Sequence, residues 1–261
     1  MNKPKISIIT VCYNSEAHIE EAIQSVVNQP YGNKEYIIID GGSKDHTMDI
    51  VNKYRDKIAY VVSEPDKGIS DAFNKGIKVA TGDVICICNS DDVIAEDVFT
   101  KFAEYYDGET DVYRLDEALK DFKTGEIIMS SPTVYLPVLP FTSIINHMGC
   151  YISKKAYIKY GLYDADFKYC MDLELLRRYT HLGASFKYVP VNCGYFRRGG
   201  ASSSDERKMR NERRLIITRH GGNKFQAEIF VAFFAFKQTI KKCLNVFGEN
   251  TASRVRDFLD F

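Results

Sequence analysis

The chain lacks an excess of either charge: 35 Lys and Arg stand against 35 Asp and Glu. That balance argues against a protein whose main partner is nucleic acid, which calls for a basic surface. It lacks any run of 18 or more apolar residues, so no segment reads as a spanning helix. The longest apolar cluster, residues 229–236, is far too short. No leader is expected, because the first five residues run straight into a strand-like segment. The seven cysteines include no C-x-x-C pair, so neither a zinc site nor a disulfide framework is indicated. Also missing are a G-x-G-x-x-G turn after the first strand and a G-x-x-x-x-G-K-[ST] loop, the two usual glycine cradles for phosphate. No internal repeat or low-complexity tract interrupts the chain.

What is present reads as a folded protein. With 45% hydrophobic and 27% charged residues in a chain of 261, disorder is excluded, and one large domain or a domain plus an appendage is expected. Charge is unevenly divided. From Asp205 onward there are twelve basic and seven acidic residues, leaving an acidic body of 23 and 28. An acidic body suits cation binding and a basic tail suits an anionic surface, although a solvated helical face explains the tail equally well.

Strand and helix alternate through the first hundred residues. Residues 5–13 form a near-continuous β-branched run, as expected of a strand buried on both faces. Ile19, Ala22, Ile23, Val26 and Val27 then fall at helical spacing, with Ser15 as the expected cap. Strands are expected at 35–40, 58–62 and 83–88, and helices at 43–54, capped by Ser43, and 70–80. That rhythm implies βαβ units, an α/β fold and a mostly parallel sheet flanked by helices. Cys86 and Cys88, alternating with Ile85 and Ile87, read as buried thiols in a reducing cytoplasm. Beyond residue 107 the rhythm breaks. Strands are expected at 111–117 and 126–130, irregular chain around Pro132, Pro137 and Pro140, helices at 154–160 and 172–181, and an aromatic-rich helix over 223–247.

In an open parallel sheet, ligands bind beyond the carboxyl ends of the strands. That edge carries Tyr13-Asn14, then Asp40-Gly41-Gly42-Ser43, then Asp66-Lys67-Gly68, then Ser90-Asp91-Asp92. A ring to stack on a base and acids to accept hydrogen bonds or hold a cation are what a nucleotide requires. Adjacent Asp91 and Asp92 repel unless a cation compensates, though they could equally cap a helix starting near Ala95. Asp40 could likewise be a turn residue.

ISIITVCYN, IIIDGGSKDHT, EPDKGISDAFNKGIKVATGD and ICNSDD, in that order and spacing, resemble glycosyltransferase family 2 with its GT-A fold, and more narrowly the branch that builds bacterial surface polysaccharides. The resemblance covers about residues 5–200 and implies sugar transfer from a nucleotide-sugar, expected to be a UDP-sugar, with inversion at the anomeric carbon. It implies that Val11 and Tyr13 border the base, Asp40 holds uracil or ribose, and Asp66, Asp71 and Asn74 line the ribose–diphosphate region. Residues 89–92 stand at the family's D-x-D position. Ser90 would lie at the donor, and Asp91 with Asp92 would meet a Mn or Mg ion. Asn89 replaces the first acid, and Asp40-Gly41-Gly42-Ser43 lacks one base-side carboxylate that many members carry.

The resemblance also places the catalytic base at Asp172, with an N-cap as the plain alternative and Glu174 as a weaker candidate. His147 would begin the acceptor wall, unless it is structural. Arg198, in a loop like the family's mobile Gly-Gly-x-Ser segment, would help hold the diphosphate or lie on solvated surface. The domain reading is a catalytic domain over 1–205, divided at 106 into nucleotide-binding and acceptor-binding halves, followed by a basic helical extension over 206–261. Residues 223–247 would lie on an anionic membrane at the inner face, suiting a glycan or lipid-linked acceptor, or would form a core-packing or homodimer helix. The rival functions are a non-catalytic sugar-nucleotide-binding relative or partner subunit, and a nucleotidyltransferase.

Overall fold

The computed structural model describes residues 3–120, 127–130, 147–197 and 205–246. Its first strand, β1 (Ile6–Cys12), is buried throughout. Its side chains divide by the period of two: Ile6 and Ile8 enter one apolar cluster, Ile9 and Val11 the other. Strands β2 (Lys34–Asp40), β3 (Tyr60–Ser63) and β4 (Val84–Ile87) join it in parallel, in the order β3-β2-β1-β4. The order reverses between β1 and β4, which makes the crevice beyond their carboxyl ends the natural ligand site.

Helices cover both faces. α1 (Ile19–Val27), α2 (Thr47–Asn52) and α4 (Val98–Tyr105) contribute to the first cluster through Ile19, Ile23, Val26, Val51, Phe99 and Phe102. α3 (Ile69–Val79) closes the opposite face with Ala72, Phe73 and Ile77. Neither expected serine cap forms. Ser15 serves α1 through its backbone carbonyl, which accepts from His18 and Ile19. The α2 start is held by Asp45, whose side chain takes the Thr47 amide. Ser43 instead turns back to Asp40.

The sheet continues as a mixed half. After β5 (Val93–Ile94) come β6 (Val112–Lys120), β7 (Ile127–Ser130), β8 (Cys150–Ser153) and β9 (Phe186–Phe196), and the order runs on from β4 as β8-β6-β9-β5, with β7 beside β6. β4 meets β8 antiparallel, whereas β6 and β9 are parallel. The nucleotide-side half is wholly parallel, and the antiparallel pairings all involve strands of the second half. α5 (Lys154–Tyr160) and α6 (Met171–His181) pack on the same face as α3. The chain around Pro132, Pro137 and Pro140, and Arg198 with its glycine loop, lie outside the described residues.

The C-terminal helices are α7 (Glu206–Arg219) and α8 (Lys224–Val246). α7 is no detached appendage: Ile216 joins the α3/α6 cluster and is fully buried. The expected aromatic helix presents two apolar faces. Ala227 and Phe230 pack inward with Ile217 and Leu173, while Phe225, Ile229 and Phe236 point outward. Among the described residues no helix is long and apolar enough to cross a membrane. Six described cysteines, Cys12, Cys86, Cys88, Cys150, Cys170 and Cys193, are free and buried, as the alternating pattern around Cys86 and Cys88 suggests.

Candidate active site

The loops after β1, β2 and β3 build one wall. At the end of β1 the Tyr13 ring is 61% exposed, while Val11, one pleat earlier, is buried among the core side chains. Asp40 is fully buried. Its carboxylate accepts from the Gly42 and Ser43 amides and from the Ser43 and Ser63 hydroxyls. Those donors commit it to shaping the Gly41-Gly42 turn, where Gly42 has φ +85°. A β-carbon at Gly41 would fall 2.6 Å from an Asp66 oxygen and 3.4 Å from the Tyr13 ring, so glycine lets carboxylate and ring come together.

Asp66 and Asp71 also set the turn before α3. Asp66 accepts from the Gly68 amide at 2.9 Å and Asp71 from the Lys67 amide at 3.1 Å. Gly68 stands at φ +115°, a conformation that strongly favours glycine. Asn74 is engaged differently from the sequence expectation. Its amide bonds both backbone groups of Tyr163, donating to the carbonyl and accepting from the N–H. It thereby holds the loop before α6.

The opposite wall comes from the turn after β4. Ser90 donates to the Ser15 hydroxyl at 2.9 Å, tying the ends of β4 and β1 together. Asp91 is half-buried and Asp92 is 1% exposed. One Asp92 oxygen accepts from the Arg197 amide; the other has no partner among the described residues. Burial pushes the Asp92 carboxyl up to about 7, opposed by His147 and reinforced by Asp91. Arg197 also donates to the Asp91 carbonyl and pairs with Glu21 at 2.8 Å, so it braces this turn.

From here a polar chain runs to α6. The Asn89 amide lies 2.9 Å from His147 Nε2, and His147 Nδ1 lies 3.0 Å from Asp172 Oδ2. Burial disfavours the charged imidazole, but the Asp172 carboxylate, with Asp92 and Glu117 behind it, pushes His147 up to about 9. A protonated ring donates from both nitrogens, so Asn89 would turn its carbonyl to Nε2. That orientation also gives a partner to Asn89 Oδ1, which otherwise has none among the described residues. Asp172 Oδ1 is likewise buried and unpartnered there, so one oxygen is held by His147 and the other keeps its acceptor capacity unused. The predicted residues Ser90, Asp91, Asp92, His147 and Asp172 thus meet at one edge, as do Tyr13, Asp66 and Asp71. The links of His147 to Asn89 and to Asp172 were absent from the sequence reading, since nothing in the spacing of residues 58 and 25 apart announces them.

Among the described residues no three His, Cys, Asp or Glu side chains form a closed metal cage. The buried Asp92 oxygen without a partner and the adjacent Asp91 nevertheless offer the hard oxygen donors that Mg or Mn prefers, and a substrate phosphate would complete the shell.

The sequence profile of Glycosyl transferase family 2 matches residues 7–151. A glycosyltransferase of Haemophilus influenzae is 40% identical over 104 residues, spanning 39% of this chain and 42% of that one. One from Mycobacterium tuberculosis is 31% identical over 179 residues, 67% and 68% of the two chains. The Bacillus subtilis protein described as a teichuronic acid biosynthesis glycosyltransferase, TuaG, is 35% identical over 106 residues, 40% and 42%. Among solved structures, Staphylococcus aureus TarS bound to UDP-GlcNAc superposes with TM-score 0.67 at 20% identity, over 88% of this chain and 71% of that one. The Pyrobaculum calidifontis mannosyltransferase PcManGT, solved with GDP-Man and Mn2+, gives 0.65 at 16%, over 98% and 79%. The structural likenesses carry the GT-A fold, the profile covers more than half the sequence, and the chain belongs to glycosyl transferase family 2.

Proposed function

We propose that this glycosyltransferase moves a sugar from a UDP-sugar to a hydroxyl of a glycan or lipid-linked acceptor in bacterial polysaccharide synthesis, with inversion and with Asp172 as the base. The observation that carries the reading is the Asp172 carboxylate in the first turn of α6, held on one oxygen by His147 at 3.0 Å and left without a partner on the other among the described residues. UDP-GlcNAc in the TarS complex and the teichuronic acid role in the TuaG description support the donor and the pathway class. Buried free thiols suit a cytoplasmic setting.

In this scheme Tyr13 stacks on the base, and Asp66 beside it accepts from base or ribose. Asp71 lines the adjoining turn. Asp91, with Asp92, would hold a Mn or Mg ion, which when bound neutralises charge on the diphosphate. Asp172 takes the acceptor hydroxyl's proton as that oxygen attacks the anomeric carbon from the face opposite the leaving diphosphate.

A thermal-shift screen of nucleotide-sugars with and without Mn tests the donor side, because a ligand that binds only the native state raises its melting point. UDP-sugars with Mn are expected to give the largest shift; no shift with any uridine compound at millimolar concentration overturns the reading. Tyr13→Ala is expected to weaken UDP binding about 5- to 150-fold, since stacking contributes roughly 1–3 kcal/mol per base. The ring's exposure places the effect toward the lower end, and isothermal titration calorimetry measures it.

A further inference from the structure

The chain entering α6 is held from a distance. Its N-cap residue, Cys170, makes no side-chain capping bond. Glu212, in the middle of α7, supplies the acceptors instead: one oxygen takes the Lys168 amide at 3.0 Å, the other the Tyr169 and Cys170 amides at 3.0 and 2.8 Å. A helix start exposes unsatisfied amides and partial positive charge, and a carboxylate answers both. Three amides gathered by one side chain, 42 residues away from the last of them, fix the entry of the helix rather than merely decorating it. Asp172 stands two residues beyond the cap.

The same loop is gripped from its other side by α3. Ser70 donates to the Phe167 carbonyl at 3.1 Å, and Asn74 holds both backbone groups of Tyr163. α7 adds two further ties: Arg219 pairs with Asp164 at 2.8 Å and lies 5.3 Å from the Phe167 ring centre. The segment leading to the base is therefore clamped between a helix of the nucleotide half and a helix of the C-terminal pair.

We propose that Glu212 is a positioning residue: by collecting the 168–170 amides it fixes the entry and N-cap of α6, and so places the Asp172 carboxylate against His147. The inference rests on Asp172 being the base for its kinetic consequence, but not for its geometric one. Catalytic groups must be held to within about half an ångström, so a loosened helix start costs turnover while leaving the donor pocket intact. On this account α7 helps to position the catalytic base.

The test uses the full chain with Glu212→Gln and Glu212→Asp. Gln keeps the size but turns one acceptor into a donor that faces amides. Asp keeps the charge on a shorter arm. Three quantities are read: hydrogen exchange of the 168–170 amides, titration of the His147 ring by NMR, and kcat with donor KM. The groups facing His147 are Asp172 from α6, Asp92 and the neutral Asn89 from the turn after β4, and Glu117 from β6. Of these only Asp172 is addressed by the substitution.

For Glu212→Gln, amide exchange is expected to rise at least tenfold and the His147 midpoint to fall toward its ordinary value. Turnover per folded molecule is expected to drop about tenfold with donor KM unchanged within twofold, and Glu212→Asp recovers part of each loss. Faster exchange with unaltered His147 titration and unaltered kcat overturns the proposal and leaves Glu212 as a stabilising cap alone. If Glu212→Gln does not fold, the milder Glu212→Asp gives the same three readings. If the unaltered protein transfers no sugar, the functional reading fails, and the His147 titration still decides the positioning claim.

Discussion

Asp172→Asn is expected to lower turnover by a factor of about 10²–10⁴ while leaving the donor's Kd within about twofold, because general-base catalysis typically contributes on that order. The substitution is nearly isosteric, and the donor's side of the crevice is built from other loops. Steady-state kinetics paired with calorimetry on the donor separates the two effects. Equal loss of turnover and donor affinity removes Asp172 from the role of base. A second signature needs no turnover. His147 is held up at about 9 against its burial chiefly by Asp172, so the amide variant should titrate well below that value. A His whose folded pKa is raised contributes stability that is fully present below its unfolded value of about 6.5 and lost as pH rises through the folded one. The variant should therefore melt lower than the parent near pH 6, and the gap should close above pH 9.

Glu174→Ala, two residues along the same helix, is expected to do the opposite: unfold the protein rather than idle it. Residues two apart on a helix point about 200° apart, so Asp172 faces the cleft while Glu174 turns into the protein. Glu174 is 1% exposed. It accepts two bonds from Arg178, at 2.9 and 3.0 Å, and one from His220 at 2.9 Å. Burial lowers the His220 pKa against the pull of Glu174, so the neutral ring donates through Nε2. Arg178 in turn donates to the Tyr160 and Leu162 carbonyls, tying α6 to the chain after α5. Removing the carboxylate leaves the partly buried guanidinium with carbonyl acceptors but no counter-charge and His220 without its acceptor, a change that costs about 3–5 kcal/mol. At roughly 2–4 °C per kcal/mol for a protein near this size, the melting point should fall by about 6–20 °C. A fall of less than 2 °C in a calorimetric scan contradicts this account.

The contrast between these two acids shows where sequence reading succeeds and where it stops. The parallel half was legible because its strands are buried on both faces and read as unbroken apolar runs, and because α1 and α3 carry a single apolar stripe. α5 and α6 were legible for the same reason. β9 was not: only Val189, Cys193 and Gly194 of its eleven residues are buried, and Pro190 interrupts the run. β5 spans two residues, too short to show a period. At the site, the residue types were readable but their obligations were not. Asp40 and Asn74 look like ligand-binding groups in the sequence, and the fold spends them on its own backbone. Those debts are long-range, as is that of Glu212, which sits among basic neighbours in a helix with nothing local to mark it.

The sealed thiols give the molecule a built-in meter of its own opening. Burial raises the pKa of all six described cysteines, so their reactive thiolate form is scarce in the folded state. Cys12, Cys86 and Cys88 lie beneath the nucleotide wall, and Cys170 lies under the α7 clamp. An alkylating reagent followed by peptide mapping would then time the exposure of each region separately. The clamp should yield its sulfur first when Glu212 is altered, while the strands under the nucleotide wall keep theirs.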